Sequence, residues 1–254
     1  MFLEDKMYRF FVFFLTVLFG VSALAQDNGI EEKVKAAMQA KVRTEAEIAR
    51  DRNRRPLETL NFFQLTDDMR VLELIPAGGW YTKILAPVLK DNGELYVSIW
   101  ADRLKSGLLS QDGFKHVKVI AAPTPRRSGE GRLNTLDSFS FGVTNLDLVV
   151  TFRNMHNFNV AGRNAINQAT FDALKSGGLY GVIDHTRRHM QPMTNEVWRR
   201  ADPVEIIKEL LDIGFEFVDF SGLHYKPDDE LRYEVGRKSV TGNTDRFTFL
   251  FRKP

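Results

Sequence analysis

The chain has 254 residues, 43% of them hydrophobic and 27% charged. That is enough apolar material for a domain-sized core and too much for a disordered chain. Its 35 Lys+Arg against 33 Asp+Glu leave a formal charge of +2, too even a balance to indicate nucleic acid as a partner. The absence of cysteine excludes a disulfide scaffold, a zinc–thiolate centre and a cysteine nucleophile.

At the N-terminus, Lys6 and Arg9 precede the apolar run Phe10–Phe19, and Ala23-Leu24-Ala25 places small residues just before polar Gln26. A basic start, a short apolar stretch and such a cleavage motif predict a secretory signal peptide over 1–25. The run is short for a membrane span. The expected product is therefore Gln26–Pro254, secreted or periplasmic, with no stable span once the signal is removed.

Residues 26–68 read as a helical extension. Val34, Met38 and Val42 follow helix spacing, Arg50-Asp51-Arg52-Asn53-Arg54-Arg55-Pro56 interrupts it, and a short helix runs on to Phe63. The arginine run reads as a solvated, acid-interleaved surface, with a substrate-facing lid as the sharper alternative.

From Met69 onward strands and helices alternate. Val71–Ile75 is a buried strand ending in the turn Pro76-Ala77-Gly78-Gly79, and Tyr81, Ile84, Leu85, Val88 and Leu89 mark the helix that follows. Further strands are expected at Glu94–Ile99, His116–Ala121, Leu146–Phe152, Leu179–Asp184, Phe215–Phe220 and Arg246–Arg252. A helix carries Ile166, Ala169, Thr170, Ala173 and Leu174 on one face, with Gly177-Gly178 as its left-handed stop. Asp202-Pro203-Val204-Glu205 starts another helix with an acidic cap and proline in the first turn. The fold class is α/β: a doubly wound, Rossmann-like sheet of about seven mostly parallel strands over 69–254, with helices on both faces. Such sheets bind ligands at the carboxyl ends of their strands, where the winding reverses.

Several residue groups fall at those ends. Glu73 closes the first strand, and Gly78 and Gly79 open a helix, where backbone N–H groups come close to a ligand. Thr151-Phe152-Arg153-Asn154-Met155-His156 follows the fourth strand, and histidine, here His156, is the residue type suited to taking a proton near neutrality. Asp184-His185 follows the fifth, at the same edge, as an acid/base pair or a metal-binding group. No helical H-x-x-x-H spacing supports a metal.

The segment Glu73-Leu74-Ile75-Pro76-Ala77-Gly78-Gly79 resembles motif I of class I S-adenosylmethionine-dependent methyltransferases, although Ile75 and Ala77 stand where that pattern has glycine. Leu174-Lys175-Ser176-Gly177-Gly178 resembles the turn that precedes their fifth strand. Gly78–Pro87, Asp184-His185 and Thr244–Pro254 are similar to a family of predicted secreted bacterial methyltransferases. The resemblance implies S-adenosylmethionine as cofactor, held by Glu73, Gly78, Gly79 and Asn154 and roofed by Trp80. Asp102 would serve as the ribose acid, about three residues late for that position. It implies His156, His185 and Asp184 as catalytic residues, no resident metal, and a small-molecule or protein acceptor. Two other readings compete: a non-catalytic ligand-binding module on a degenerate methyltransferase fold, and a metal-assisted hydrolase or lyase built on His156, Asp184 and His185.

Overall fold

A computed structural model describes residues 29–254, so the signal peptide expected over 1–25 lies outside the described residues. The described residues begin with helix α1 (29–38), then the short helices α2 (Glu45–Ile48), α3 (Asp51–Arg54) and α4 (Pro56–Phe62). Next come β1 (Arg70–Leu74), α5 (Thr82–Leu89), β2 (Glu94–Ser98), α6 (Asp102–Ser106) and β3 (Lys118–Val119). A small hairpin of β4 (Arg126–Arg127) and β5 (Asn134–Thr135) leads to β6 (Leu146–Phe152), α7 (Val160–Ala173) and β7 (Leu174–His185). The chain closes with α8 (Pro203–Ile213), β8 (Glu216–Phe220) and β9 (Arg246–Arg252).

Seven strands form one sheet in the order β3-β2-β1-β6-β7-β9-β8. β1 pairs in parallel with β2 and β6, and β6 pairs in parallel with β7. Only β9 runs against its neighbours β7 and β8. The winding reverses between β1 and β6, which puts a ligand crevice at the carboxyl ends of those two strands.

Alternation along each strand sorts the core into two layers. Val71, Val97, Val150 and Ile183 pack with α1, α4 and α5 on one face. Leu72, Tyr96, Val149, Val182 and the aromatic row Phe247, Phe249 and Phe251 pack with α7 and α8 on the other. The extension is seated by Phe63, fully buried over Gly181 of β7, where an added Cβ would meet the Phe63 ring at 2.7 Å. A side chain at this position would compete for the volume that holds α4 to the sheet.

Two expectations need correction. Gly177-Gly178 does not stop a helix: α7 ends at Ala173 with an extended C-cap at Leu174, and β7 begins there at once. Gly177, with φ +77°, sits in an irregular stretch where the β6–β7 register shifts between Leu146 and Leu148. The third strand shrinks to Lys118–Val119 at the sheet's edge. Elsewhere the caps match: Asp202 accepts from the Val204 and Glu205 amides, and Gly214 ends α8 at φ +114°. Among the described residues no helix is long and apolar enough to cross a membrane.

Candidate functional site

The β1–α5 turn keeps a left-handed backbone at alternate positions, Ile75 (φ +53°), Ala77 (φ +51°) and Gly79 (φ +80°). Ile75 and Ala77 thus occupy the conformation that glycine adopts without penalty, at a cost of about 1–3 kcal/mol each. Asn154 helps to hold the turn, donating to the carbonyls of Leu74 at 3.2 Å and Ile75 at 3.4 Å. It is a buried clamp between β6 and β1, and its NH₂ is spent on the scaffold.

The other expected cofactor residues divide. Gly78 faces open space: a Cβ added there would have nothing within 4 Å. Gly79 faces Leu104 and Leu108, which an added Cβ would meet at 2.6 and 2.8 Å, so it serves the packing of α6 beneath the turn. Trp80 is not a roof over this turn. It is buried between Arg43 and Arg54, whose guanidinium carbons lie 4.8 and 4.3 Å from its ring centroid, and its indole N–H donates to the Glu47 carbonyl at 3.0 Å. Asp102 is exposed in the first turn of α6, while buried Ile99 follows β2 where a ribose acid would stand. Of the expected cofactor residues at the turn, Gly78 alone faces open space, and the end of β2 carries Ile99 where the resemblance implies an acid.

Glu73 lies behind the turn. It is buried and accepts a 2.6 Å hydrogen bond from Thr82 Oγ1; burial pushes its carboxyl up to about 7. The folded protein therefore holds this proton more tightly than the unfolded chain between about pH 4.5 and 7. Glu73's contribution to stability is complete below that window and falls as pH rises through it, by on the order of 3 kcal/mol. Glu73→Gln is expected to flatten this slope and to raise stability at pH 8; denaturant unfolding across pH 5 to 8 reads it directly, and an unchanged slope would contradict the assignment.

At the carboxyl ends of β6 and β7 the structure brings the expected catalytic residues together. Asp184 is fully buried; its Oδ1 accepts from His156 Nδ1 at 2.6 Å and from the His185 amide at 2.7 Å, and its Oδ2 from the His156 amide at 2.9 Å. A carboxylate accepts, so the contact puts a His156 proton on Nδ1 and turns Nε2 away from Asp184. The His185 ring lies 6.0 Å from that of His156. Burial, then Arg246 and His156, hold the His185 pKa well below 6.5, and its Nδ1 is buried without a hydrogen-bond partner.

Both histidines line a cavity of about 520 Å³. Its wall is otherwise formed by Arg50, Arg52, Asn53 and Arg54 from α3 and its approach, Arg153 after β6, Arg199, the 235–244 loop and Arg246 at the start of β9. No carboxylate side chain among the described residues lines it. The arginine run is thus only partly the solvated surface expected: Arg50, Arg52 and Arg55 are exposed, but Arg54 is buried. Its carbonyl receives His224 Nε2 at 3.0 Å and Thr59 Oγ1 at 3.0 Å, which fix the Arg54 backbone against the sheet. Arg54 belongs to the run whose sharper reading faced a substrate, whereas Arg153 and Arg246 are wall residues to which sequence reasoning gave no ligand role. Among the described residues no group of three or more His, Asp or Glu side chains is placed to hold a metal ion.

No protein-family model matches the sequence, and no curated protein does. Solved structures do match in fold. A S-adenosylmethionine-dependent methyltransferase from Aquifex aeolicus aligns with a TM-score of 0.55 at 15% identity, covering 88% of this chain and 98% of that one. The glycopeptide N-methyltransferase MtfA, complexed with sinefungin, aligns at 0.52 and 13% identity, covering 79% of this chain and 85% of its own. The [4+2]-cyclase SpnF aligns at 0.51 and 14% identity, covering 80% of each chain. The chain has the Rossmann-like fold of class I methyltransferases, a fold that carries more than one chemistry.

Proposed function

We propose that the protein transfers a methyl group from S-adenosylmethionine to an acceptor bound in the arginine-walled cavity. The observation that carries this reading is the Asp184–His156 pair, whose imidazole lines the cavity beside the crevice where the winding reverses. Arg153 lines the cavity, and its neighbour Asn154 is bonded to the β1–α5 turn, so the two regions adjoin. Methyltransferases among the structural neighbours, one of them solved with sinefungin, a cofactor analogue, support the same reading.

When bound, the cofactor supplies a methyl group on a positively charged sulfur. The turn at Ala77 and Gly78 would hold it, with buried Glu73 behind. His156 Nε2 takes the proton that the acceptor's nucleophilic atom gives up. Asp184 fixes the imidazole's tautomer and orientation and stabilises the imidazolium that forms. His185 stays neutral beside it, so it adds no opposing charge. The fold and Arg54 position the acceptor, since methyl transfer depends chiefly on alignment.

Calorimetric titration of S-adenosylmethionine and S-adenosylhomocysteine into the purified protein tests the reading. Micromolar Kd is expected, lost in Gly78→Phe, which has open space around it and so should fold normally. No heat at millimolar ligand would overturn methyl transfer and leave a ligand-binding module.

A further inference from the structure

Elsewhere in this protein buried arginines are matched by acids. Arg43 forks onto Asp51, Arg200 onto Asp229 and Arg163 onto Glu209. The cavity breaks that rule. Among the described residues no ion pair includes Arg54, Arg153 or Arg246. Arg246 is 8% exposed; it gives one nitrogen to the Asn53 carbonyl at 2.8 Å, and its Nε is buried with no partner. Arg54 is 7% exposed and has only aromatic faces for partners, Trp80 at 4.3 Å and Tyr81 at 5.9 Å. His185 Nδ1 is a further buried atom without a partner in the same wall. Asp184 and Asp245 attract Arg246 without pairing with it. Burying charge with no carboxylate in direct contact is costly, and three guanidinium groups around one space repel one another. The cost shows in Arg54 and Arg246, which burial and the neighbouring Arg153 push down to about 9 and about 10.

We infer that the cavity takes a small molecule bearing at least two negative charges, as phosphate or carboxylate groups, gripped by Arg54, Arg153 and Arg246. Guanidinium forks match both groups in geometry. The volume of about 520 Å³ suits a metabolite-sized ligand. S-adenosylmethionine, a net cation with a single carboxylate, does not supply this charge. That the anion is the methyl acceptor, presented to His156, rests on the methyl-transfer reading; that the cavity binds it does not.

The probes are inorganic pyrophosphate and citrate, titrated calorimetrically into the full chain at low salt, alone and with S-adenosylmethionine present. At least one is expected to bind with a Kd below about 100 μM. Arg246→Met and Arg153→Met are each expected to weaken it about tenfold or more, while Arg126→Met, an exposed arginine outside the cavity, leaves it unchanged. If Arg246→Met does not fold, Arg153→Met carries the test. Failure of both anions to bind at millimolar concentration, or binding unaltered in the cavity variants, overturns the proposal even if the cofactor binds. One-for-one displacement of the anion by S-adenosylmethionine also overturns it, because the arginines would then serve the cofactor's carboxylate. Anion binding without cofactor binding upholds the cavity's charge chemistry and overturns methyl transfer.

Discussion

Asp229→Ala should destabilise the protein by about 3–5 kcal/mol, which urea unfolding at pH 7 will read as a lower midpoint at nearly unchanged slope. Arg200 and Asp229 have side chains fully shielded from water. They form a two-pronged pair, at 2.9 and 3.0 Å, and Asp229 Oδ2 also accepts the Asp245 amide at 2.6 Å. Arg200 in turn reaches the carbonyls of Thr186 and Tyr233, at 3.0 and 3.1 Å. The pair thus joins the end of β7, the approach to α8 and the loop that closes the cavity. Removing only the acid strands a buried cation and two amides, those of Asp245 and Leu231. Arg200→Met with Asp229→Leu should recover much of the loss, since no buried charge is left alone. A single-variant cost under about 1 kcal/mol would mean that water reaches Arg200.

Asp184→Asn should abolish most catalysis, by about 10²–10⁴-fold, while S-adenosylmethionine binds within a few-fold of its original affinity. The three donors that Asp184 accepts leave no place for an NH₂ group: in one rotamer it meets the His156 amide, in the other the His156 ring and the His185 amide. The second arrangement forces the imidazole proton onto Nε2 and removes the acceptor from the cavity. Nitrogen-15 shifts of the His156 ring report this tautomer without any assay of turnover. A His156 ring whose Nδ1 is unprotonated in the original protein would sink the mechanism, whatever the variant does.

The fold was legible because its strands are written as short apolar runs. Leu146–Phe152 and Arg246–Arg252 form strands over those same residues, and the alternation Phe247, Phe249, Phe251 names the face that packs with α7 and α8. Gly177-Gly178 misled because paired glycines mark a break in regularity without saying whether a helix or a strand is being broken. At the site, His156 and Asp184 could be placed at one sheet edge from topology alone, yet their 2.6 Å contact depends on the Asn154–Phe158 turn, which has no periodic signal. Trp80 was misplaced because adjacency in sequence to Gly79 says nothing about which side of the turn an indole takes. Arg153 and Arg246 were missed for a general reason. Charged residues without periodicity read as surface, and only the fold shows that Arg54, Arg153 and Arg246 converge from separate elements on one enclosed space. A sequence signal was present at Arg153, directly after a strand whose end borders the crevice.

The insertion of β9 between β7 and β8 also sets an order of assembly. A chain emerging N-terminus first can lay down β1, β2, β6 and β7 as they appear, but β8 has no neighbour in the sheet until the final strand is made. The strand made after β8 is the wedge that closes the sheet, and its first residue is Arg246. A nascent chain therefore acquires its completed basic pocket only when β9 docks, so a product cut short before that strand lacks an edge of its sheet and part of its ligand grip together.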